Sequence, residues 1–192
     1  MVSKYFEEDF RERYTSSDIL IRQFAAGAVA STLTETKHLQ LKTSASQSSA
    51  RMGQRITLVM EVELKPGMHV YAPGVSGYIP IDWKIAESPA VKIHAVDYPK
   101  SEMLHLKAIQ ETVPVYRNRI RLVRDLTLGS DADVRAALNP SHDLVVAGTL
   151  RYQACDERIC YLPESVPLTW TIHYEDLDRE RVPVELRRKA PP

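Results

Sequence analysis

Ile56-Thr57-Leu58-Val59-Met60-Glu61-Val62-Glu63-Leu64 alternates apolar and largely polar positions, and Lys65-Pro66-Gly67 stops it. A period of two marks a strand with one face in a core, and Pro-Gly suits the middle of a tight turn. Working outward, the same signal recurs over 68–72, 81–87, 91–97, 119–128, 144–153 and 166–174, the last with Leu168, Trp170, Ile172 and Tyr174 on one face. Turn chemistry at Pro73-Gly74, Ser88-Pro89, Gly129-Ser130 and Asn139-Pro140 separates these runs. Short strands so spaced predict an all-β, immunoglobulin-like antiparallel β-sandwich. Trp83 and Trp170 sit in strand patterns and are expected in its core.

The flanks read differently. Tyr5, Phe6, Phe10 and Tyr14 recur near helical spacing, and Thr15-Ser16-Ser17-Asp18 offers an N-cap to Ile19-Leu20-Ile21-Arg22-Gln23-Phe24. Residues 1–30 are therefore read as a short helical N-terminal extension, 31–176 as the sandwich and 177–192 as a charged tail. Ala25-Ala26-Gly27-Ala28 and Ser44-Ala45-Ser46-Gln47-Ser48-Ser49 read as connectors. Phe6-Glu7-Glu8-Asp9-Phe10-Arg11-Glu12-Arg13 is charged where a signal peptide needs an apolar core.

Composition narrows the classes of partner. The 192 residues carry 25 basic and 25 acidic side chains, a net charge of zero, at 44% hydrophobic content. That balance gives no electrostatic reason to expect nucleic acid or an anionic membrane surface. Apolar runs fall well short of the roughly 20 residues that span a bilayer, so no membrane span is expected.

Only two cysteines occur, Cys155 and Cys160, in Tyr152-Gln153-Ala154-Cys155-Asp156-Glu157-Arg158-Ile159-Cys160-Tyr161-Leu162-Pro163-Glu164. They lie between the strand candidates 144–153 and 166–174, at the mouth of a hairpin, where their Cα atoms can approach disulfide distance. A bridge closing so short a loop removes little unfolded-state entropy, about 2 kcal/mol, whereas a staple for stability would join distant segments. Redox chemistry is thus favoured over a structural role. Asp156 and Glu157 oppose a thiolate and Arg158 favours it, so a strongly acidified thiol is not expected. Tyr71, Tyr78, Tyr152 and Tyr161 are candidates for aromatic cover, although tyrosines on strands more often simply pack. Glu164 and Asp82 could assist proton transfer, but exposed carboxylates are usually just solvated.

The Tyr-Gln-x-Cys, short insert, Cys-Tyr-x-Pro-Glu pattern resembles the N-terminal periplasmic domain of DsbD, a bacterial thiol–disulfide reductase. Lys65-Pro66-Gly67-Met68-His69-Val70-Tyr71 resembles that family's strand whose aromatics face the thiols, and Val115-Tyr116-Arg117-Asn118-Arg119 the stretch after its active-site cap. The resemblance covers roughly 38–174. It implies a sandwich passing electrons by disulfide exchange to thioredoxin-fold partners outside the cytoplasm, with Cys155 and Cys160 catalytic and no cofactor. By the same resemblance Cys160 attacks and Cys155 resolves. The cap falls at 103–112 and lacks Phe-Tyr-Gly, so Leu106 or Ile109 would shield the disulfide, alongside the shielding or docking candidates His69, Tyr71, Tyr152 and Tyr161. The insert is one residue shorter than in well-known members.

Val2 to Tyr14 is similar to the end of bacterial redoxins of the peroxiredoxin (AhpC/TSA) type that carry a DsbD-like domain. This implies a fused or cognate redoxin partner, while no peroxidatic cysteine, and hence no peroxidase activity, is expected in this chain. Two other readings stand beside exchange. One is a non-catalytic interaction sandwich with a structural disulfide. The other is a metal site using Cys155, Cys160, His69 and His105, although the dispersed histidines give no ligand-spacing motif and no metal is expected.

Overall fold

The computed structural model describes residues 31–106 and 110–177. The helical extension expected over 1–30, Ile109 and the tail from 178 onward lie outside the described residues. The alternating run that opened the sequence reading becomes strand β4 (Arg55–Leu64), in which Ile56, Leu58, Met60, Val62 and Leu64 are all buried. Two neighbours pair with it antiparallel, β2 (Leu39–Ala45) and β10 (Arg119–Leu128). At the margins stand β1 (Thr32–Glu35) and β7 (Val91–Asp97), completing a five-stranded sheet in the order β1-β2-β4-β10-β7.

A second sheet faces it. Here β11 (Asp143–Tyr152) and β13 (Glu164–Tyr174) form a long antiparallel hairpin, flanked by β6 (Asp82–Ile85) and the two-residue β3 (Ser49–Ala50). The inward side chains of the two sheets form one continuous core, Leu58, Met60 and Leu122 from the first, Trp83, Leu150 and Trp170 from the second. The architecture is the expected immunoglobulin-like β-sandwich. Each fully buried side chain of this size contributes about 1.5–3 kcal/mol by leaving water. The indoles of Trp83 and Trp170 meet with ring centroids 5.6 Å apart. Arg124 of β10 reaches between the layers, donating to the Trp83 carbonyl at 2.6 Å and the His94 carbonyl at 2.7 Å. Gly148 lets β11 pass β6, because a Cβ there would lie 2.8 Å from the Lys84 carbonyl oxygen and 2.9 Å from Ile85 Cδ1.

A third, smaller sheet was not expected, and it carries Cys155. Its order is β12 (Ala154–Cys155), β5 (His69–Tyr71), β9 (Glu111–Arg117) and β8 (Glu102–Leu106). The expected Pro66-Gly67 turn feeds it from β4, with the Met68 amide donating to the Lys65 carbonyl at 3.0 Å and Gly67 at φ 80°. That backbone angle suits glycine because a Cβ would clash with the carbonyl. On the other side Asn118, at φ 58°, is the single residue between β9 and β10. The small sheet is thus tied at both ends to the central strands of the sandwich.

Other boundaries differ from the sequence reading. The connector read over Ser44–Ser49 is partly strand, since β2 runs to Ala45 and β3 begins at Ser49. Of the stretch read as a cap at 103–112, residues 103–106 belong to β8 and 111–112 to β9, which pair antiparallel with Leu104 opposite Val113 and Leu106 opposite Glu111. A short helix, α1 (Asp131–Ala136), follows Gly129-Ser130 where only a turn was read; Ser130 caps it, accepting the Asp133 amide at 3.3 Å.

Candidate functional site

Residue alternation divides the small sheet into two faces. Val70, Ala72, Tyr116 and Ala154 belong to the main sandwich core. Their neighbours Tyr71, Val113, Val115 and Cys155 form a separate buried cluster, with Val75, Tyr78, Leu104 and Leu106 packed on it. The sulfur chemistry therefore has its own apolar bed, back to back with the core.

Cys155 and Cys160 are joined by a disulfide, with their Cα atoms 4.0 Å apart. The pair is asymmetric: Cys155 is 2% exposed, whereas Cys160 is exposed. Burial of one sulfur and presentation of the other follow from local structure. Cys155 ends β12 and sits opposite His69 of β5, while Cys160 returns on the outer side of a tight loop closed by the Tyr161 amide to the Ala154 carbonyl at 2.9 Å.

Asp156 organises that loop. Its carboxylate accepts the amides of Arg158 at 2.7 Å and Ile159 at 2.8 Å and the Tyr161 hydroxyl at 2.9 Å. The Ile159 and Arg158 amides and the Tyr161 hydroxyl hold its carboxyl below the ordinary carboxylate value. An aspartate capping the amides two and three residues on is an Asx turn, a signal present in the sequence but read there only as a charge near the thiols. Because the folded value is depressed, the ordering it gives is present above the ordinary carboxylate range and lost as the pH falls through the lowered value. Asp156→Ala is expected to speed hydrogen exchange at the Arg158 and Ile159 amides by roughly tenfold near neutral pH, since charge-assisted acceptors are the strong ones. Acidifying the unmodified chain below pH 3.8, the carboxyl's ordinary value, should begin to expose the same amides, and amide-resolved NMR reads both effects.

Of the aromatic candidates, Tyr71 reaches the disulfide, its hydroxyl 3.6 Å from Cys160 Sγ. Tyr78 stacks on it at 4.3 Å between centroids and donates to Glu111 Oε2 at 2.7 Å. Burial, then Glu111, raises the Tyr71 phenol above its ordinary value, and the bond to Glu111 pushes Tyr78 up to about 12. Both phenols thus stay protonated and able to donate at neutral pH.

Tyr152 and Tyr161 pack with the main sandwich core. Tyr152 is wholly buried in the main core, where its hydroxyl donates to Glu164 at 2.8 Å and meets the Thr36 hydroxyl at 2.8 Å. Tyr161 packs on His38, centroids 4.3 Å apart, beneath the Lys37 ammonium. Their work is to brace the loop from below. Glu164 belongs to the same brace through His38 at 3.3 Å, and Asp82 pairs with Lys84 on the second sheet.

Leu106 packs on the cluster that holds Cys155, while Ile109 lies outside the described residues. His69 is 4% exposed, directly across the ladder from Cys155. His105 alternates to the other face of β8 and contacts the Thr112 hydroxyl at 3.2 Å. No group of three or more potential metal ligands occurs among the described residues. The sequence reading missed the apolar rim of the loop, where Ile159 is 55% and Leu162 87% exposed beside Cys160.

An immunoglobulin-like sandwich bearing a half-buried cysteine pair on a subsidiary sheet defines the class of protein. Residues 36–169 match the family model described as thiol:disulfide interchange protein DsbD, N-terminal. The chain belongs to that family. A crystal structure of the N-terminal periplasmic domain of ScsB from Proteus mirabilis is similar in fold, with TM-score 0.51 and 14% identity, covering 74% of this chain and 51% of that one. The chain thus spans about half the length of that structure. The reduced DsbD N-terminal domain of Neisseria meningitidis aligns at TM-score 0.41 and 14% identity over 59% of this chain and 75% of that one. No curated protein matches the chain in sequence.

Proposed function

We propose that the chain is a thiol–disulfide exchange module in which Cys155 and Cys160 cycle between dithiol and disulfide. The observation that carries this reading is the asymmetry of the bond: one sulfur is presented to a visiting protein, the other is kept in an apolar bed. Attack by a partner thiolate on Cys160 breaks the bond and leaves the electron pair on Cys155. In the reverse direction the Cys160 thiolate attacks a partner disulfide, and Cys155 resolves the mixed disulfide. Tyr71, beside Cys160 Sγ, donates to the thiolate that forms there and shields it from small thiols. Leu106 shields Cys155 from the β8 side.

Thioredoxin-fold proteins are the proposed partners, docking on Ile159 and Leu162 at the rim. Family membership supports this assignment, and the periplasmic source of the ScsB domain supports a setting outside the cytoplasm. The finer reading is that residues 1–30 belong to the tail of a preceding redoxin and that this module serves it with electrons. Resemblance of the segment Val2–Tyr14 is what supports it.

The test is a redox titration of the full chain in glutathione buffers. Reversible exchange near the buffer poise is the expected result; a bridge more reducing than about −300 mV belongs to the structural class and would overturn the proposal. Replacing both cysteines by serine should abolish electron transfer to a thioredoxin-fold partner while the sandwich stays folded. Retained partner binding and activity in that variant would leave only a docking role.

A further inference from the structure

The thiol-exchange reading accounts for both sulfurs but leaves a proton unassigned. Cys155 is 2% exposed and shares its cluster with Tyr71, Val113 and Val115. Burial penalises a thiolate there, so Cys155 rests as a thiol in the reduced protein and needs a base before it can attack.

Outside the groups already used, one buried titratable side chain lies beside it. His69 and Cys155 are direct partners in the β5–β12 ladder. Opposite residues of an antiparallel pair project from the same face with Cβ atoms roughly 4.5–5.5 Å apart, within reach of an imidazole. The ring is 4% exposed and edge-on to Tyr71, centroids 5.8 Å apart. Its Nε2 is buried and has no hydrogen-bond partner among the described residues. A buried polar atom without a partner is costly and calls for an explanation; the indole nitrogens of Trp83 and Trp170 share that condition inside the main core, whereas His69 stands opposite Cys155 and borders a cavity. A cavity of about 710 Å³, bordered by Met68, His69, Leu106, Arg117, Asp156 and Glu157, opens next to it and gives protons a way out.

We propose that His69 is the general base for Cys155, taking the thiol proton when the mixed disulfide closes and returning it when the disulfide opens. This rests on the exchange reading above. In closing, His69 Nε2 accepts the proton from Cys155 S–H, and the thiolate attacks Cys160 Sγ. The Cys155–Cys160 bond forms, the bond from Cys160 to the partner breaks, and the partner leaves as a thiolate. The two cysteines lose two electrons, the partner gains them, and the imidazolium passes its proton through the cavity to the departing sulfur or to solvent. Opening runs the same steps backward.

The charged and titratable groups facing His69 are Arg117 across β9, Asp156 beyond β12, and Tyr71 on its own strand. Burial, then Arg117, lowers the imidazole from its ordinary value, and Asp156 partly opposes them. The ring is therefore neutral at neutral pH, as a base must be.

The experiment follows the reduced full-length chain reacting with 5,5′-dithiobis(2-nitrobenzoate). A first equivalent of coloured thiolate marks the mixed disulfide at Cys160, and a second marks closure by Cys155. Closure by the unmodified chain should be nearly independent of pH between about 6.5 and 8, because a neutral base is already in place. In His69→Gln the first release should be unchanged. The second should slow on the order of 10²-fold at pH 7 and rise with hydroxide across the same range. Equal closure rates and pH profiles in the two proteins would overturn the proposal, as would slowing of both releases alike, which marks a packing role. If the unmodified chain gives no second release, the exchange reading itself has failed. His69→Asn is the alternative variant should the glutamine form not fold. In the unmodified chain, the His69 imidazole titration followed by NMR should move downward on reduction of the disulfide, because a Cys155 S–H donated to Nε2 favours the neutral ring; an unmoved titration contradicts the pairing.

Discussion

Cys155→Ser should turn the chain into a covalent trap that holds its partner through Cys160, whereas Cys160→Ser should hold nothing. The asymmetry of exposure dictates the contrast. With Cys160 alone, an exposed sulfur still attacks a partner disulfide, and the mixed disulfide that forms has no internal thiol to resolve it. Intramolecular resolution by a positioned group is worth effective molarities of 10⁵ M or more in well-oriented cases, so its loss should lengthen the adduct's life by about three orders of magnitude or more. With Cys155 alone, the remaining sulfur is 2% exposed beneath Leu106 and the Tyr71–Tyr78 stack and should react at close to the background rate. Non-reducing gels of each variant mixed with an oxidised thioredoxin-fold protein read the outcome. Equal trapping by both variants would contradict the assigned roles.

The second large effect concerns stability rather than exchange. Trp83→Ala is expected to cost about 3–5 kcal/mol, the range for deleting a buried tryptophan and leaving its cavity. Trp83 is 1% exposed and packs on Trp170. A domain of this kind has in total about 5–15 kcal/mol to lose, so the denaturant midpoint should fall by about a fifth or more. While the variant remains folded its Cys160 should react at the original rate, since the indole belongs to the other cluster. A loss of unfolding free energy under about 1 kcal/mol would mean that the indole is not a core element.

Much of this fold is legible from side-chain period. The strands with one buried face, β4, β10, β11 and β13, alternate over many residues and were read within two residues of their ends. What escaped reading has local causes. Strand β9 contains Pro114, which argues against a strand paired on both sides, yet its carbonyl accepts the Ala72 amide at 2.9 Å and the strand lies between β5 and β8. Strand β8 is half exposed and short, and β12 has two residues, too few for any period. The helix α1 buries Val134 alone and gives no stripe to detect.

At the site, the cysteine pair and its place between β11 and β13 were readable, because spacing and turn chemistry are local. The departure of β12 from that hairpin to pair with β5 was not, since it depends on long-range register. The same register brings His69 and Tyr71 to the sulfurs and leaves Tyr152 and Tyr161 as braces. A tyrosine's pattern in sequence does not tell which side of a pleat it takes.

The two-faced small sheet makes chemical identity a matter of parity. Ala154 looks into the sandwich and Cys155 looks away from it, one residue apart. Inserting or deleting one amino acid between Tyr152 and Cys155 would rotate the sulfur into the hydrophobic interior and put a methyl group where the bond is made. The single linker Gln153 before β12 therefore sets, by its length, that the thiol stays on the outward side.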